Sequence, residues 1–88
     1  MNANALVARN IRRLRVGCSL SQEALAVDAE IDRTYVSRLE RGLENPSVAV
    51  LERLASALEA TIPDLFLVPP KGEPPPKPLR GGRRPTKR

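Results

Sequence analysis

At 88 residues the chain has room for one small domain, and a net charge of +5 with no histidine narrows its chemistry. The single cysteine, Cys18, excludes an internal disulfide framework and a multi-cysteine zinc site. There is no run of about 18 apolar residues and no basic-then-apolar leader, so a soluble cytoplasmic protein is expected.

The first predicted helix runs from about Ala3 to Gly17, with Val7, Ile11, Leu14 and Cys18 on one face. Gly17 weakens its end and is expected to help the chain turn toward Leu20. Ser21 is a good N-cap for a second helix, in which Gln22, Glu23, Ala24, Leu25 and Ala26 are mostly strong helix formers. Leu25 and Ala29 form its apolar face. The pattern breaks at Glu30 and Ile31, and Asp32 caps a third helix. That helix buries Val36 and Leu39 and leaves Arg33, Thr34, Tyr35, Ser37 and Arg38 outside. Gly42 suits the position just past a helix end, and Pro46 forbids continuation. Ser47 then caps a fourth helix striped by Val48, Leu51, Leu54, Ala55 and Leu58. Thr61 can cap a short fifth helix that opens with Pro63 and contains Asp64, Leu65 and Phe66. No segment alternates with period two. The expected fold is all-α, a compact five-helix bundle whose second and third helices form a helix-turn-helix.

The charge is divided unevenly along the chain. Residues 1–68 carry eight arginines, no lysine and nine carboxylates, a net −1, whereas residues 69–88 carry seven Lys and Arg against one Glu, a net +6. The second stretch also holds seven prolines and three glycines. It cannot bury enough apolar area to offset the entropy of ordering it. The expected division is therefore a helix-turn-helix domain over 1–68 and a disordered Pro/Gly/Arg/Lys-rich tail over 69–88. The tail reads first as a solubilising segment, with a basic nucleic-acid arm as the functional reading and a polyproline ligand as a third. Within 1–68, Arg9, Arg12, Arg13 and Arg15 lie on the first helix and Arg33, Arg38 and Arg41 on or beside the third. One end of the domain is thus expected to be basic. Tyr35 and Phe66 are the only aromatics, so the core must be aliphatic and thin, and dimerisation is expected to support it.

The SQEALA opening at Ser21–Ala26, the RTYVSRLERG run at Arg33–Gly42 and the ENPS exit at Glu44–Ser47 resemble the Cro/C1 (XRE) family. This is the phage-repressor class of helix-turn-helix proteins, and the similarity covers about Asn10 to Phe66. The DRTYVS run from Asp32 is also similar to the controller proteins of restriction–modification systems. One departure concerns the turn after the second helix. Most family members place glycine there, because the backbone is left-handed, and this chain has Glu30.

A helix fits the major groove, and its N-terminal part usually makes the base contacts. Arg33 and Thr34 occupy the opening turn of the third helix, with Ser37 and Arg38 one turn later on the same face. Arginine can donate two parallel hydrogen bonds to guanine, and a threonine methyl can pack on that of thymine. The resemblance gives these four positions the same role, base contact. It implies that Tyr35 touches DNA, with burial against a neighbouring helix as the competing reading. It also implies that Gln22 lies where a helix N-terminus meets a phosphate. Arg41 and Asn45, in the loop after the reading helix, are candidate backbone contacts, as are Arg12 and Arg13. Arg15 and Glu40 match positions that form a partly buried ion pair in the family.

These features point to a sequence-specific double-stranded DNA-binding transcriptional regulator, acting as a homodimer on a pseudo-palindromic operator. Ile62, Leu65, Phe66, Leu67 and Val68 are apolar enough to form an isologous dimer interface, or else they close the monomer's own core. The alternative on this fold is an antitoxin-like or co-regulator module that binds a small protein partner, with DNA binding secondary. An enzyme is disfavoured by the absence of histidine, of a Gly-rich phosphate loop and of a nucleophile beside a base. No cofactor, metal or membrane association is expected.

Overall fold

A computed structural model of the protein describes residues 2–70. Four α-helices and one 3-10 turn follow in order: α1 (Ala3–Gly17), α2 (Gln22–Ala29), α3 (Arg33–Glu40), α4 (Val48–Ala57) and the turn Pro63–Phe66. Among the described residues there is no strand, and no helix is long and apolar enough to cross a membrane. The all-α expectation holds, and the tail beyond Pro70 lies outside the described residues.

Each α-helix begins on a polar side chain that accepts from an otherwise unpaired backbone N–H. Asn2 Oδ1 accepts from Ala5 at 2.8 Å, Ser21 Oγ from Ala24 at 3.0 Å, Asp32 Oδ2 from Thr34 at 3.0 Å and Ser47 Oγ from Val50 at 3.1 Å. The four helices also end alike. A backbone N–H beyond each end reaches back to close the last turn: Leu20 to Arg15 O, Ile31 to Ala26 O, Leu43 to Arg38 O and Ala60 to Ala55 O, at 2.8–3.1 Å. The residue inside each closure is left-handed: Ser19 at φ 59°, Glu30 at 61°, Gly42 at 77° and Glu59 at 55°. These are Schellman ends, and only one carries the glycine that the conformation favours. Gly17 is therefore not the hinge of the first turn. It is the last residue of α1, and Ser19 makes the reversal.

The core is aliphatic. Ile11, Leu25, Val36, Leu39, Leu54 and Leu65 are fully buried, joined by Val7, Leu51, Leu58 and three alanines. Each α-helix contributes its apolar stripe, and Tyr35 and Ile62 pack partly against the cluster. Val48 departs from the expected stripe. At the first position of α4 it is 73 % exposed, because the helix turns inward only at Val50 and Leu51.

The expected fifth helix is a single 3-10 turn, and Thr61 does not cap it. The bond runs the other way, with Asp64 accepting from the Thr61 backbone N–H at 2.8 Å. The Asp64 carboxyl is held below its usual range by its hydrogen bonds from Thr61, with Arg13 adding to the effect. Leu65 is the one residue of this turn fully buried in the core. Behind it, the fully buried Asn10 of α1 donates from Nδ2 to Leu65 O at 3.0 Å and to Leu67 O at 2.9 Å. That pair of bonds fastens the end of the domain to α1 and satisfies two inward carbonyls.

Candidate nucleic-acid interface

The two faces of α3 differ sharply because its apolar residues recur at helical spacing. Val36 and Leu39 are sealed in the core, which turns Arg33, Thr34, Ser37 and Arg38 toward solvent. Arg33 and Thr34 are exposed at the start of the helix, next to the Asp32 cap. Arg38 is exposed and Ser37 half-buried one turn further on. Among the described residues no carboxylate pairs with Arg33. This exposed face is a row of hydrogen-bond donors mounted on a rigid helix.

Glu40 ends α3, where the helix dipole disfavours a negative charge. Its buried carboxylate is held from three directions. Arg15 of α1 donates from Nε to Oε2 at 2.6 Å and from Nη2 to Oε1 at 3.0 Å. Gln22, at the start of α2, donates from Nε2 to Oε1 at 3.1 Å, and Arg12 from Nε at 3.4 Å. Arg15 is itself buried and gives its Nη1 to Leu20 O at 2.9 Å. One carboxylate thus joins α1, α2 and α3.

This network alters the expected basic surface. Arg15 faces inward, and Arg12 and Gln22 lean on Glu40 while remaining partly exposed. Arg13 is turned elsewhere. It donates from Nε and Nη2 to Asn10 Oδ1 at 3.3 and 3.2 Å and lies near Asp64, on the side of the 3-10 turn. The first helix therefore does not offer a continuous row of arginines beside α3.

The loop after α3 is tied back to that helix. Arg38 donates from Nε to Glu44 Oε2 at 2.7 Å and from Nη2 to Leu43 O at 3.3 Å. Tyr35 is half-buried, which raises its phenol pKa; the charge of Glu44 raises it further. The ring packs on the core and the hydroxyl stays protonated at neutral pH, able to donate. Asn45 is exposed, and its Oδ1 accepts from Asn4 Nδ2 at the start of α1. Arg41 is exposed.

The turn between α2 and α3 has a brace that the sequence reading missed. Arg53 of α4 donates from Nε to Ala29 O at 3.0 Å and from Nη2 to Glu30 O at 3.3 Å. It brings positive charge to the C-terminal end of α2, directly at the left-handed Glu30. Glu44 and Asn10 were missed as well. An arginine four or five positions after a helix start carries no such signal by itself, and a lone asparagine in an apolar stripe reads as ordinary variation.

Of the five residues expected at a dimer interface, Leu65 is spent on the core and has no surface to offer a second chain. Ile62 packs partly on the same core. Phe66, Leu67 and Val68 are exposed, Val68 by 78 %. Among the described residues no group of three or more His, Cys, Asp or Glu side chains could hold a metal ion.

Residues 6–66 match the family model described as a helix-turn-helix domain. The chain is 37 % identical over 66 residues to the control protein C.BamHI of Bacillus amyloliquefaciens, covering 74 % of this chain and 82 % of that protein. The crystal structure of the hypothetical transcription factor NHTF from Neisseria superposes with a TM-score of 0.75 at 40 % identity, over 77 % of this chain and 78 % of that one. The restriction–modification controller protein C.Esp1396I, solved as a tetramer in complex with its natural 35 base-pair operator, superposes with a TM-score of 0.69 at 30 % identity. That match covers 75 % of this chain and 87 % of the controller protein.

Proposed function

Because the chain belongs to the helix-turn-helix family of DNA-binding transcription regulators, in its Cro/C1 (XRE) type, we propose that it binds a pseudo-palindromic operator as a homodimer, with α3 in the major groove. The observation that carries this reading is the division of α3, whose apolar face is locked in the core while Arg33, Thr34, Ser37 and Arg38 stand outward. Arg33 and Arg38 supply the donors that guanine accepts in parallel, and Thr34 supplies both a hydroxyl and a methyl.

Tyr35, Arg41 and Asn45 flank that row and are suited to the phosphate backbone, which fixes register without reading sequence. Gln22 and Arg12 reach phosphate from the rim of the Glu40 network, because each has donors left after bonding Glu40. Arg13, facing the 3-10 turn, is left out of this surface. We assign the operator-reading function to the domain over residues 1–68 and treat 69–88 as an appended basic segment that adds sequence-independent attraction.

The homodimer rests on the exposed Phe66, Leu67 and Val68, an apolar run at the end of the domain. A two-fold dimer reads two half-sites about 34 Å apart, one turn of the duplex. The test is selection of binding sites from a random duplex library near physiological salt. Convergence on an inverted repeat, lost in the Arg33→Ala/Arg38→Ala variant, is the expected result. Recovery of unrelated sequences, held only at low salt, would overturn the operator reading and leave a protein partner as the alternative.

A further inference from the structure

The bonds of Arg38 divide its donors in a way that bears on how it reads a base. A guanidinium has five N–H groups in one plane. The Nε hydrogen is given to Glu44 at 2.7 Å and one Nη2 hydrogen to Leu43 O at 3.3 Å. Nε and Nη2 are the two nitrogens of the side-on edge. Nη1, which shares the end-on edge with Nη2 as a pair of parallel N–H groups, has no hydrogen-bond partner among the described residues, and the side chain is 44 % exposed. Two parallel N–H groups of that kind match the O6 and N7 acceptors of guanine. The Glu44 carboxylate also faces α3 itself, since its charge reaches the Tyr35 phenol.

We propose that Glu44 is a positioning and specificity-determining residue of the reading surface. It holds Arg38 by its side-on edge, offers the end-on edge to a base, and keeps the guanidinium from swinging onto phosphate. The proposal rests on the DNA-reading function above. An unrestrained arginine next to a duplex takes phosphate contacts, which add affinity at every sequence and discrimination at none. A carboxylate beside the same surface repels phosphates, so Glu44 lowers affinity for all DNA. It restores binding only where Arg38 finds its base. The net effect is a larger ratio between correct and incorrect sites.

The experiment uses the full chain, with Glu44→Ala and Glu44→Gln compared to wild type on the selected duplex and a scrambled one across a salt series. Glu44→Ala is expected to bind scrambled DNA several-fold more tightly, with the salt slope steeper by about one because one more phosphate is engaged. The selected-to-scrambled ratio should fall by about tenfold, and the lost preference should map to the base position that Arg38→Ala also relaxes. Glu44→Gln retains an oxygen to accept from Arg38 Nε. It should keep most of that base preference while binding scrambled DNA more tightly than wild type. Both variants should melt near the wild-type temperature, because an ion pair at the surface, still in contact with solvent on both sides, contributes little to folding.

An unchanged base preference at the Arg38 position in Glu44→Ala would overturn the proposal. If wild type discriminates through Arg38 and the Glu44 variants discriminate equally well, the role of Glu44 alone falls. If wild type shows no preference between the two duplexes, the operator reading falls and takes this proposal with it.

Discussion

Glu40 shows what one residue does for this molecule. A carboxylate at the end of α3 is opposed by the helix dipole and by burial, and arginine and glutamine donors from two other helices reverse both penalties. Truncating it strands the buried Arg15 without its partner. Glu40→Ala should therefore cost about 3–5 kcal/mol. At about 4–8 °C per kcal/mol for a domain of this size, the melting temperature should drop by more than 10 °C. Thermal denaturation reads this directly, and equal melting of variant and wild type would sink the structural role. Asn10 is the neutral counterpart, tying the carbonyls of Leu65 and Leu67 to α1. The Arg15–Glu40 relationship was visible in the sequence only through a family resemblance. Gln22 and Arg12 joining the same carboxylate was not visible, because residues far apart in sequence meet there only after α1, α2 and α3 have packed.

At the scale of the elements, starts and stops are unequal in what they reveal. Ser21, Asp32 and Ser47 are recognisable caps, because a short polar side chain before an apolar helical pattern has one evident use. The ends are harder to see. A glycine announces a left-handed residue at Gly42, but Ser19 and Glu59 adopt the same conformation with no such sign. Glu30 was expected there only by its alignment with a family glycine. A side chain in that region costs about 1–2 kcal/mol, part of which glycine returns through its larger unfolded-state entropy. Glu30→Gly should stabilise the fold by about 0.5–1 kcal/mol, whereas Gly42→Ala should destabilise it by a similar amount or more. Chemical denaturation of the two variants checks the sign at each end. A loss of stability in Glu30→Gly would mean that its side chain contributes more than its strained backbone costs. Arg53 holds the carbonyls on both sides of the Ala29–Glu30 peptide link, which helps that strained turn persist between the two helices of the motif.

For the whole molecule, Phe66, Leu67 and Val68 form an exposed apolar run at the end of the described domain. The aliphatic core contains no buried aromatic ring, and a small domain of that kind gains stability from a second copy. Sedimentation is expected to show a concentration-dependent dimer, and Leu67→Asp/Val68→Asp should shift it to monomer and weaken operator binding together. A wild-type monomer at all accessible concentrations would exclude the symmetric arrangement. Apolar periodicity, caps and helix-breaking residues determined by themselves where the first four helices lie and which face of α3 is turned outward. They could do so because those properties are local: each depends on residues within one or two turns of chain. Tertiary structure alone decided that the last predicted helix is a 3-10 turn, that Leu65 belongs to the core, and that Arg13 lies beside Asn10 and Asp64. It alone also decided that Glu44 grips Arg38. These outcomes depend on where separate elements meet, and the pairing of a charge or an apolar side chain across that distance leaves no periodic trace in the sequence.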